Sequence, residues 1–126
     1  MIVLDTSALI FWTLNPGGLS APAAEAIAAS SRKAVSSISI WEIGLKVKRE
    51  KLSIPLPMRE YVDRLNSVEG VEIVPVDEGI WLKNLELDWD HQDPADRTIV
   101  ATAMLLSSQL VTSDGIIRRF YAETIW

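Results

Sequence analysis

The chain has 126 residues, 48% of them hydrophobic, and a formal net charge of −5, which sets a single domain whose core removes roughly two-thirds of the unfolded surface from water. Without cysteine it has no disulfide framework and no thiolate metal site, and without a basic start or a run of roughly 20 apolar residues it has neither a secretory signal nor a membrane span. The negative balance argues against coating nucleic acid through bulk positive charge, and the whole points to a soluble, cytoplasmic protein.

Ile2, Val3 and Leu4 form an apolar run with no polar alternation, as expected for a strand buried on both faces. Asp5-Thr6-Ser7 follows and opens an apolar helix through Trp12. Asn15-Pro16-Gly17-Gly18 is a turn, and Ser20 with Pro22 starts a second helix whose apolar face is read as Ala24, Ile27 and Ala28. A short strand is expected around Ala34–Ser36. Ser39 and Glu42 match a capping box at the start of the next helix. Prolines interrupt Leu52–Pro57. Met58, Tyr61, Val62 and Leu65 then recur at helical spacing up to Gly70. Val71–Val76 is a third strand, and Asp77–Leu87 a helix with Ile80, Trp81 and Leu85 inward. Asp93 caps a helix over Pro94–Ser107, with Ile99, Val100, Ala103 and Leu106 along one side. Leu110-Val111-Thr112 is a fourth strand, Ser113-Asp114-Gly115 a turn, Ile116–Tyr121 a short helix, and Thr124-Ile125 a fifth strand. This alternation predicts an α/β fold: one domain over 1–126, with a short parallel sheet of about five strands and helices on both faces.

In such a sheet all strand C-termini share one edge, where ligands bind as the strand order reverses. Asp5 and Asp114 follow the first and fourth strands, Glu42 lies one turn into the helix after the second, and Asp96 sits in the first turn of the helix before the fourth. Singly, each has a local role as a cap or a dipole partner. Together at one edge they repel, on the order of 4 kcal/mol per pair at about 4 Å and an effective dielectric near 20. A hard divalent cation, Mg²⁺ or Mn²⁺, relieves that repulsion, and phosphodiester hydrolysis by metal-activated water is the chemistry implied.

Four motifs carry a resemblance over almost the whole chain: Leu4-Asp5-Thr6-Ser7-Ala8-Leu9, Ser39-Ile40-Trp41-Glu42-Ile43, His91-Gln92-Asp93-Pro94-Ala95-Asp96-Arg97 leading into Ile99-Val100-Ala101-Thr102-Ala103, and Leu110-Val111-Thr112-Ser113-Asp114. In this order they resemble the PIN-domain ribonucleases, most closely the VapC toxins of type II toxin–antitoxin pairs. The resemblance implies that Asp5, Glu42, Asp96 and Asp114 are the acidic metal-binding quartet and that Mg²⁺ or Mn²⁺ supports endonucleolytic cleavage of an RNA substrate. It also implies a cognate antitoxin that blocks the site, and a homodimer.

Around the quartet, Thr6, Ser7, Thr112 and Ser113 are hydroxyls able to orient a carboxylate or bind a phosphate, and equally ordinary turn residues. Asp93 is a cap or a supporting acid beside the metal. Lys46, Lys48, Arg49 and Lys51 form a basic strip, either a solvated helix face or phosphate contacts for RNA. Arg97 is placed to pair with Asp96 or touch a phosphate, and Arg118 and Arg119 are a further basic pair. His91, the only histidine, reads as an exposed loop residue rather than a base. Asp88, Asp90 and Asp93 do not make a calcium loop, because the sixth and twelfth positions hold Asp93 and Ile99. Trp41, Trp81 and Trp89 are core or rim, while Trp12 marks a surface for a partner. Two other classes compete. A non-catalytic RNA-binding or scaffolding domain gains nothing from clustered acids, and a phospho-acceptor domain needs an acidic pattern around Asp5 that the chain lacks.

Overall fold

The computed structural model describes residues 1–126. Five strands, β1 (Ile2–Leu4), β2 (Lys33–Ser36), β3 (Val71–Val74), β4 (Gln109–Val111) and β5 (Thr124–Ile125), pair in the order β3-β2-β1-β4-β5. Every pairing is parallel, with Leu4 opposite Val35 on one side and Val111 on the other. The shortest possible reading of the opening residues, a strand buried on both faces, is therefore the central strand of the sheet. The chain runs outward from β1 through β2 to β3, then crosses back to lay β4 on the other side of β1. The strand order reverses between β1 and β4, and this sets where a site forms.

The period-2 alternation of strand side chains divides the core in two. Ile2, Leu4, Val35 and Val111 face one layer, packed by Ala8 and Leu9 of α1 (Thr6–Leu14), Ala23 and Ile27 of α2 (Ala21–Ala29), Ile43 of α3 (Ser37–Lys48), and Tyr61 and Leu65 of α4 (Met58–Ser67). Val3, Ala34 and Leu110 face the other, packed by Ile80 of α5 (Glu78–Glu86), Ile99, Val100 and Ala103 of α6 (Pro94–Leu105), and Ile117 of α7 (Gly115–Phe120). Between α4 and β3 the backbone turns at Gly70 with φ +82°, and a Cβ there would stand 2.2 Å from the Ser31 carbonyl oxygen, so only glycine makes this entry to β3.

Three expected helix faces are corrected. In α2 the buried alanine is Ala23, while Ala24 and Ala28 are exposed. In α5 Ile80 is inward but Trp81 and Leu85 are 45% and 77% exposed. Asn84 takes the inward position, where its amide donates to Thr98 Oγ1 at 2.9 Å. Leu106 lies past the end of α6 and is exposed. No helix is long and apolar enough to cross a membrane.

Candidate metal centre

Asp5 follows β1 and is held there by its backbone N–H, which donates to the Val111 carbonyl at 3.1 Å. Its side chain caps α1, Oδ1 accepting the Ala8 N–H at 2.7 Å. Cap and site are not alternatives here, because one carboxylate oxygen serves the helix and the other does not. The residue is only 6% exposed. Burial pushes its carboxyl up to about 6, against the hydrogen bonds of Thr112 and Ala8, and the charges of Asp96 and Asp114 push the same way as burial.

Glu42 projects from the middle of α3, because β2 runs into that helix without a loop and Ser36 is the cap, its Oγ accepting the Ile38 N–H at 3.2 Å. The expected capping box is thereby corrected: Ser39 is fully buried within the helix and its hydroxyl lies 2.8 Å from Thr6 Oγ1. Thr6 in turn donates to Glu42 Oε1. A hydroxyl has a single proton, so Thr6 spends its own on Glu42 and accepts from Ser39. This relay ties the starts of α1 and α3 together at the acidic edge. Burial raises the Glu42 carboxyl above its usual range; the Thr6 hydrogen bond and Lys46 oppose it, while Asp93 and Asp96 add to it.

Asp96 sits in the first turn of α6, its N–H donated to Asp93 Oδ1 at 3.0 Å. Its Oδ2 lies 2.8 Å from His91 Nε2. Burial raises this carboxyl as well, against the His91 hydrogen bond, and Asp93 and Asp114 raise it further. Asp114 caps α7, Oδ1 accepting from Ile116 and Ile117 at 2.8 and 3.1 Å, and its own N–H donates to Thr112 Oγ1 at 3.1 Å. Asp5, Glu42, Asp96 and Asp114 thus arrive from four elements at one edge, with Asp96 sensing acids on both sides of it. No three of them, with or without His91, stand close enough in this conformation to grip one ion directly. The donor set fits a small hard cation that keeps part of its water and takes one or two carboxylates, the habit of Mg²⁺. Glu42, Asp96 and Asp114 each keep one carboxylate oxygen that accepts no hydrogen bond from the protein.

The supporting hydroxyls separate. Thr6 and Thr112 touch acids, whereas Ser7 and Ser113 are exposed and make no hydrogen bond to one. Among the basic residues, Lys46, Arg49 and Lys51 line a groove of about 310 Å³ with Trp41, Glu42 and Asp93, while Lys48 is exposed and does not line it. None of these cations is in an ion pair.

Arg97 is a correction. Its Nε donates to Asn84 Oδ1, Nη1 to the carbonyls of Trp89 and His91, and Nη2 to those of Asn84 and Leu87, at 2.6–3.3 Å. All five guanidinium donors are engaged, leaving none for Asp96 or a phosphate. Arg97→Ala strands these carbonyls and is expected to destabilise the fold by about 3 kcal/mol, read by urea denaturation. Unchanged stability with weakened RNA binding would restore the phosphate role. His91 is corrected too. Its side chain is 20% exposed and bonded to Asp96 rather than free in solvent. The sequence carried one signal for this: the Asp93 cap folds the preceding loop back over the first turn of α6, which brings His91 to Asp96.

The PIN domain family model matches residues 2–123. Ribonuclease VapC22 of Mycobacterium tuberculosis is 30% identical over 118 residues, spanning 93% of this chain and 89% of that protein. Among solved structures, a toxin–antitoxin complex from Klebsiella pneumoniae superposes with a TM-score of 0.71 at 18% identity, covering 100% of this chain and 97% of that one. FitAcB from Neisseria gonorrhoeae superposes with a TM-score of 0.63 at 20% identity, covering 93% and 90%.

Proposed function

This chain belongs to the PIN domain family and is of the VapC ribonuclease kind, and on that premise we propose that it is a Mg²⁺- or Mn²⁺-dependent endoribonuclease that acts as the toxin of a toxin–antitoxin pair. The observation that carries the metal reading is the edge at β1 and β4, where burial and mutual repulsion raise the carboxyls of Asp5, Glu42 and Asp96 together. A bound divalent ion supplies an acidified water and polarises a phosphoryl oxygen. The chain's own residues do the rest. One or two of Asp5, Glu42, Asp96 and Asp114 would ligate the ion directly and the others through its waters, Thr6 and Thr112 orient Glu42 and Asp5, and the groove cations would meet phosphates beside the scissile bond. The test is cleavage of a single-stranded RNA, expected with Mg²⁺ or Mn²⁺, abolished by EDTA and restored by excess metal. RNA binding without cleavage in every metal would leave the scaffolding alternative instead.

Phosphate contact is assigned to Lys46, Arg49 and Lys51, which share their groove with Glu42. Lys46→Glu and Arg49→Glu are each expected to weaken RNA binding roughly 10-fold and flatten its salt dependence, while Lys48→Glu leaves both unchanged. Equal effects at all three positions would show bulk electrostatics rather than a track.

The antitoxin part of the reading is supported by the neighbouring toxin–antitoxin structure and by a groove of about 440 Å³ where Trp12 and Leu14 of α1 meet Leu56, Tyr61 and Leu65. Trp12 is six residues along α1 from Thr6, roughly 9 Å by helical rise, so one partner segment reaches both this groove and the acids. Trp12→Glu is expected to break co-purification with the antitoxin, and its survival would move the docking surface elsewhere. A second copy is assigned to the apolar face of Trp41, Trp81 and Leu85, which are 61%, 45% and 77% exposed; a single-chain mass in sedimentation at micromolar concentration would remove that part. The reading places toxin action in the cytoplasm, with its RNA and its antitoxin.

A further inference from the structure

The loop from Leu87 to Asp93 has no regular secondary structure, yet one side chain in it is fixed from three directions. The Arg97 guanidinium holds the loop backbone, Nη1 donating to the carbonyls of Trp89 at 2.6 Å and His91 at 3.1 Å. The Trp89 indole stacks on Phe120 of α7, with centroids 4.4 Å apart and planes 6° apart. The His91 ring lies tilted against the same indole, at 4.8 Å and 41°. What this scaffold delivers is a single contact, His91 Nε2 at 2.8 Å from Asp96 Oδ2. An ionised carboxylate only accepts, so Nε2 carries the hydrogen.

We propose that His91 is a positioning residue for Asp96: by holding Oδ2 it fixes the plane of the carboxylate and so the direction in which Oδ1 is presented to a divalent cation. This rests on the metal reading above. The terminal torsion of an aspartate is soft and roughly two-fold, so its backbone alone does not set where the oxygens point. The backbone is already set, by the Asp93 cap on the Asp96 N–H; the carboxylate plane is what remains, and His91 removes that freedom. Small divalent ions demand strict ligand directions, and hydrogen bonds to ligating carboxylates are where such strictness comes from.

Two variants separate the donor from the ring. His91→Phe keeps an aromatic ring on Trp89 and loses the hydrogen bond. His91→Gln loses the ring and keeps an N–H able to reach Asp96. Mn²⁺ binding to the full chain without RNA, at pH 7.5, is followed by loss of the EPR signal of free aqueous Mn²⁺, alongside the melting temperature of the metal-free protein. The expected result is Mn²⁺ affinity weakened roughly 10- to 100-fold in His91→Phe at an unchanged melting temperature, and affinity within a few-fold of the parent in His91→Gln. Parental affinity in His91→Phe overturns the assignment, as does a His91→Gln variant as weak as His91→Phe. A parent chain that binds no Mn²⁺ overturns the metal reading itself, and this inference with it.

Discussion

Asp5→Asn is expected to lower RNA cleavage by at least roughly 100-fold in saturating Mg²⁺, since on the proposed metal reading it removes a carboxylate of the ion's site, where even a supporting residue is worth 10- to 100-fold. The fold is expected to survive, and the local geometry says why. The oxygen that caps α1, Oδ1, accepts the Ala8 N–H at 2.7 Å, and an asparagine oxygen in its place accepts it equally well. What disappears is a charge at a position only 6% exposed, beside Asp96 and Asp114. The variant should therefore melt higher than the metal-free parent at neutral pH while cutting no RNA. Both readouts are needed, because an inactive variant that has also lost stability says nothing about catalysis. Parental cleavage rates in Asp5→Asn would show that the acidic edge is not the metal centre.

The metal-free protein is expected to lose stability as pH rises from 4 to 7. Asp5 titrates near 6 in the folded chain and near 3.9 when unfolded, so the native state holds this proton more tightly. Its stabilising contribution is complete below about pH 4 and is lost as pH climbs through 6. The difference is about 2 pH units, or about 3 kcal/mol, and roughly 10 °C in melting temperature for a domain of this size. Glu42 and Asp96 are shifted in the same direction and add to it. On the proposed metal reading, a divalent ion is expected to reverse the trend, because it would bind the ionised carboxylates of the native state and stabilise that state by mass action. Melting curves in EDTA at pH 5 and 7.5, repeated with Mn²⁺, should show a large metal-dependent rise at pH 7.5 and a small one at pH 5. A chelated protein that is more stable at pH 7.5 than at pH 5 would contradict the proposed crowding of acids.

The parts of the fold legible in the chain were those written in local chemistry. β1 could be read because Ile2, Val3 and Leu4 are all apolar, and α6 because Asp93 and Pro94 mark its start unambiguously. The acids could be read as a group because each stands at a strand end or in a helix turn beside one, so topology alone brings them to one edge. What stayed hidden depends on partners distant in the chain. The Ser39 and Glu42 spacing fits a capping box, but β2 passes straight into α3 and Ser36 reaches the free N–H groups first. Asn84 faces inward, against its composition, because its amide N–H donates to Thr98 Oγ1 and its Oδ1 accepts from Arg97 Nε across the interface. Arg97 looks like a site residue by adjacency to Asp96, but its guanidinium turns away to carbonyls in the preceding loop. No periodicity encodes that choice.

The central position of β1 has a consequence for how this enzyme comes into being. Strand β1 is made first, yet its two neighbours begin at Lys33 and Gln109, and the last acid is Asp114. Until Gln109–Val111 pairs with it, β1 lacks one of its two neighbours, and Asp5 and Asp114 do not yet share an edge. Pairing across such long sequence separations is also slow. The acidic edge is thus among the last parts of the sheet to assemble.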